Sequence, residues 1–75
     1  MDKRDLIRWV ELQLGHPGVT PEDRFAEDLA AESVDMMHIV VQIEEQTGLH
    51  IPEEIIPEFR TVQDMFDYVE KHQKP

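Results

Sequence analysis

Glu27-Asp28-Leu29-Ala30-Ala31-Glu32-Ser33-Val34-Asp35-Met36-Met37 sets one hydroxyl, Ser33, among four carboxylates, and a run with helical periodicity begins directly behind it. Ser33 therefore stands where a loop becomes a helix. Backbone N–H groups are unpaired at such a place, and negative charge is welcome there. Serine is also among the commonest N-cap residues, so the stretch taken alone reads as a plain helix cap.

The helix that follows spans Ser33 to Thr47 and ends at Gly48. Met36, Ile39, Val40 and Ile43 crowd one arc, and Val34, Met37 and Val41 lie on the neighbouring one. The helix is apolar over more than half its circumference until Glu44-Glu45-Gln46. Such a helix is either central in a bundle or offers apolar side chains to a partner.

The flanks read as helices too. Leu6, Val10 and Leu14 recur at i, i+4 and i+8, which predicts a first helix from about Asp2 to Leu14, with Trp9 in the core and Gly15 as its stop. A crossover over 15–32 follows. Thr20-Pro21-Glu22-Asp23 predicts one turn within it, and Phe25 and Leu29 are its apolar anchors. Beyond Gly48, Ile51 is an anchor, and Glu53-Glu54-Ile55-Ile56 predicts a short third helix, about one turn long or kinked at Pro57, with Phe59 behind it. Thr61-Val62-Gln63-Asp64 has the form of a capping box, and Val62, Met65, Phe66 and Val69 make the apolar face of a last helix fraying after Lys71-His72. The expectation is all-α: one domain over 1–75, a small four-helix bundle of three longer helices and one short one, with a long first crossover loop.

The net charge of −10 is segregated. Residues 1–15 and 60–75 are each neutral, whereas residues 16–59 carry eleven acids against the single base Arg24. A polyphosphate partner would be repelled, so nucleic-acid binding is not expected, whereas a basic protein surface would be steered in. No apolar run approaches a membrane span and no signal-peptide pattern is present, so the expected setting is cytoplasmic. Zero cysteines suit a reducing compartment.

Catalytic machinery is not legible. His16, His38, His50 and His72 are scattered without metal-ligand spacing, and no calcium loop, phosphate cradle or cysteine nucleophile occurs. Ser33 has no base at hand, and a chain this short scarcely holds an oxyanion hole and a pocket. Ser33 reads better as a substrate for another enzyme than as a nucleophile.

Asp28-Leu29-Ala30-Ala31-Glu32-Ser33-Val34-Asp35 resembles the Asp-Leu-Gly-Ala-Asp-Ser-Leu-Asp pattern of acyl carrier proteins, and Phe25, Glu44-Glu45, Ile51-Pro52-Glu53-Glu54, Thr61-Val62-Gln63-Asp64 and Asp67-Tyr68 extend the likeness over nearly the whole chain. The resemblance implies that a phosphopantetheinyl transferase moves 4′-phosphopantetheine from coenzyme A onto Ser33. The arm then carries acyl groups as thioesters for fatty acid, polyketide or related lipid synthesis. It implies a monomeric, non-catalytic carrier recognised by acyl-loading and acyl-processing enzymes with basic docking patches. By position, the partner-facing residues are Glu32, Val34, Asp35, Met36, Met37, Glu44, Glu45, Glu53 and Glu54. A sequestered acyl chain would meet Val40, Ile43, Ile55 and Phe59, and no metal is implied.

Glu32, Val34 and Ala30 depart from the pattern's aspartate, leucine and glycine, His38 stands where an acid is common, Met36 adds apolar surface and Pro57 interrupts the third helix. These departures suggest a specialised carrier serving a dedicated pathway. Alternatives left open by the residues are an aminoacyl or aryl carrier of a nonribosomal-peptide or D-alanyl system, a helical adaptor in which Ser33 is only a cap, and a phosphorylated regulatory serine.

Overall fold

The computed structural model describes residues 1–73; Lys74 and Pro75 lie outside the described part. Helices α1 (Lys3–Leu14), α2 (Ser33–Thr47) and α3 (Val62–His72) are joined by the crossover and by a 3-10 segment, η1 (Glu53–Glu58). No strand occurs among the described residues, and the expected all-α bundle forms.

Periodicity explains the core. Leu6 and Val10 of α1, Ile39, Val40 and Ile43 of α2, and Val62, Met65 and Val69 of α3 are buried together. Burying such side chains stabilises by roughly 1.5–3 kcal/mol each. The other buried apolar residues, Val19, Phe25, Leu29, Ile51 and Phe59, come from connections, so the long crossover is packed down rather than loose. Trp9 and Phe66 do not enter the core as expected; both are half-buried at its edge. Trp9 faces a groove shared with His38 and Gln42, where an indole too large to bury completely finds room. Phe66 lies under the Lys3 ammonium, 5.1 Å from its ring centre.

Polar contacts fasten the crossover at both ends. The Val19 N–H donates to Glu11 Oε2 at 3.1 Å. The turn at Thr20 forms, but Asp23 rather than the threonine hydroxyl closes it, its Oδ2 accepting the Thr20 N–H at 2.8 Å. The crossover then joins the entry to α3. Phe25 N–H donates to the Arg60 carbonyl at 2.9 Å, and the Val62 and Gln63 N–H groups donate to the Asp23 and Pro21 carbonyls at 3.1 and 2.9 Å. Two donors that a helix start leaves unpaired are thus satisfied by backbone some forty residues earlier.

The third segment is short, as expected, and runs through Pro57 to Glu58. It is a 3-10 helix, whose bonds reach three residues rather than four, and a proline late in so short a segment forfeits one donor without clashing against a long helix. None of its residues is fully buried.

Candidate functional site

Glu32, in extended conformation (φ −96°, ψ 169°), occupies the N-cap position of α2, and Ser33 is the first helical residue. Asp35 secures this start by accepting the Glu32 N–H on Oδ2 at 3.0 Å. The simplest reading of Ser33, a cap, is therefore set aside: an acidic neighbour holds that position. Ser33 is exposed, and its hydroxyl makes no hydrogen bond among the described residues. It sits at the positive end of a fifteen-residue helix whose first N–H groups lack intrahelical acceptors.

The approach to Ser33 is a closed loop. Arg24 pairs with Asp28, Nε to Oδ2 at 3.1 Å, and the Arg24 N–H reaches the same oxygen at 2.8 Å. The Arg24 side-chain hydrogen bond is the main cause, and its backbone N–H the next, holding the Asp28 carboxyl below the usual carboxylate range. The Ala31 N–H donates to the Phe25 carbonyl at 2.8 Å. Ala30 bridges the two through a left-handed backbone, φ 53°, the one non-glycine residue described there with positive φ.

A cleft of about 780 Å³ opens beside the hydroxyl. Ser33, Met36 and Met37 form one wall, Phe25, Ala26, Glu27, Ala31 and Glu32 another, and Glu53, Ile56, Pro57, Phe59 and Arg60 close it from η1 onward. An apolar chain leaving Ser33 would find an apolar floor and a charged rim.

The residues singled out from sequence divide by environment. Glu32, Val34, Met37, Glu45, Glu53 and Glu54 are exposed, while Asp35, Met36 and Glu44 are half-buried. Val34, Met37 and Val41 make an exposed apolar stripe along α2. Glu44 has a structural contact as well, accepting the Ile51 N–H on Oε2 at 2.8 Å, with His50 Nδ1 3.6 Å away. Of the residues assigned to an acyl pocket, Phe59 lines the cleft, Val40 and Ile43 lie in the core, and Ile55 is half-buried outside the cleft. Ile56, Phe25 and Arg60 line it and were not foreseen.

Known proteins decide the family. Residues 4–69 match the family described as "Phosphopantetheine attachment site". An acyl carrier protein from Rubrobacter xylanophilus is 34% identical over 79 residues, covering 97% of this chain and 98% of that protein. One from Thermosynechococcus vestitus is 39% identical over 59 residues, covering 79% and 73%. Among solved structures, BlmI, a type-II acyl carrier protein from Streptomyces verticillus involved in bleomycin biosynthesis, superposes with a TM-score of 0.86 at 28% identity, covering 96% of this chain and 86% of that one.

The chain belongs to the acyl carrier protein family.

A carrier of this family bears covalent 4′-phosphopantetheine, which when bound supplies the thiol that holds an acyl group. The α2 start fits such a group: a free hydroxyl at a helix N-terminus suits a phosphodiester, and the cleft beside it suits an apolar chain. The family is generally non-catalytic, and no helix of this carrier is long and apolar enough to cross a membrane among the described residues.

Proposed function

We propose that Ser33 is the attachment residue, and that this carrier works as a monomer in the cytoplasm for enzymes of a dedicated pathway. One observation carries the assignment: Ser33 is the single serine of the chain, and it stands with a free, exposed hydroxyl at the first residue of α2. In the loading step the Ser33 oxygen attacks the pantetheine-side phosphorus of coenzyme A. The phosphoanhydride breaks, adenosine bisphosphate leaves, and the hydroxyl proton passes to a base on the transferase. The carrier itself holds the oxygen in place and favours the resulting negative charge through the α2 N-terminus.

Exposed Glu32, Glu45, Glu53 and Glu54 around the Val34–Met37–Val41 stripe support docking on basic partner surfaces, by steering first and apolar contact second. Asp35 contributes to the same face while holding the helix start, and Glu44 while holding the linker. An acyl group is proposed to enter the cleft at Met36 and Phe59, and to reach Val40, Ile43 and Ile55 only if η1 shifts. The departures at Glu32, Val34 and Ala30 favour a dedicated transferase and dedicated acyl enzymes.

The test is to incubate the apo-protein with coenzyme A and a broad-specificity transferase, then measure intact mass. A gain of one phosphopantetheine in wild type and none in Ser33→Ala is expected. No gain in either, or an equal gain in both, rejects the assignment.

A further inference from the structure

The Asp35 carboxylate that caps α2 is itself held from outside the helix. Its Oδ1 accepts from Gln13 Nε2 of α1 at 3.4 Å, while its Oδ2 accepts the Glu32 N–H. The same Gln13 amide nitrogen lies 3.2 Å from His38 Nδ1. A carboxylate only accepts, so it is the amide nitrogen that faces Asp35. One of its two N–H bonds goes to Asp35, and the other faces His38. Gln13 is the second-last residue of α1 and Asp35 lies in the first turn of α2. This bridge joins the two helices at the turn that carries Ser33.

We propose that Gln13 is a positioning residue for Ser33: by holding Asp35 Oδ1 it keeps Oδ2 on the Glu32 N–H and so fixes the first turn of α2, where the attacking hydroxyl stands. The inference rests on Ser33 as the attachment residue. Gln13 acts through Asp35, and its donor is the group that matters, because a carboxylate only accepts.

The test compares wild type, Gln13→Ala, Gln13→Glu and Ser33→Ala with coenzyme A and one transferase at one pH. The loss of one hydrogen bond to a charged group predicts that Gln13→Ala loads about five-fold more slowly, in kcat rather than KM. Gln13→Glu keeps the length of the side chain but has no donor for Asp35, so it is at least as slow as Gln13→Ala. A second readout needs no transferase: the Glu32 amide exchanges faster in both Gln13 variants. Equal rates for wild type and both Gln13 variants, with Glu32 exchange unaffected, overturn this inference alone. Mass gain in Ser33→Ala, or none in wild type, overturns the attachment reading beneath it.

Discussion

Ser33 is available because its neighbours do the structural work. Glu32 holds the cap position and Asp35 accepts its N–H, which leaves the serine hydroxyl free. Ala30 bears a cost for the same turn, since a left-handed backbone disfavours any side chain with a Cβ by about 1–2 kcal/mol. Ala30→Gly is therefore expected to stabilise the fold by about 0.5–1 kcal/mol, after glycine's greater freedom in the unfolded chain is subtracted. Thermal melts would read this as a rise of about 2–8 °C; a lower Tm would contradict it. Asp28 gives a pH dependence. Its pKa is lowered by Arg24, so its contribution is complete above the unfolded value of about 3.9 and is lost as pH falls through the lower folded value. Arg24→Ala should raise the Asp28 pKa toward the ordinary range but leave it below, because the backbone N–H of residue 24 still donates to Oδ2; a carbon-detected NMR titration reads this directly.

Element by element, legibility followed the source of stability. Where apolar periodicity decides, the chain reads correctly: α1, α2 and α3 begin and end close to their caps and glycines, and Phe25, Leu29, Ile51 and Phe59 anchor the connections. Where backbone pairing across long separations decides, it does not. Nothing in the residue types reveals that Asp23 and Pro21 carbonyls serve the α3 entry, since any residue supplies those atoms. Of the acyl-contact residues implied by the resemblance, Phe59 lines the cleft, and Ile56 rather than its neighbour Ile55 stands on the wall, a difference that two identical residue types do not reveal. The α3 cap was legible and is testable: Thr61 Oγ1 accepts the Asp64 N–H at 3.0 Å. Thr61→Ala should cost about 1 kcal/mol in chemical denaturation. A loss well below this would mean that the crossover bonds at Val62 and Gln63 carry the helix start without the cap.

At the scale of the whole molecule, a net charge of −10 on 75 residues leaves the acidic middle segment self-repelling. Screening lengths shorten to about 10 Å at 0.1 M salt, so Tm should rise with added sodium chloride and more steeply with a divalent cation; a Tm indifferent to both contradicts this account of the charge. In the proposed function, the same charge that strains the isolated carrier steers basic partner surfaces toward it. The bundle, the cleft and the acids all converge on one atom, the Ser33 hydroxyl oxygen. The most direct test is to digest the transferase-treated carrier with trypsin and sequence the 25–60 peptide by fragmentation. The account predicts a phosphopantetheine-sized increment that appears between the fragments ending at Glu32 and at Ser33. An increment on Thr47 or any other residue, or an unmodified peptide, would contradict it.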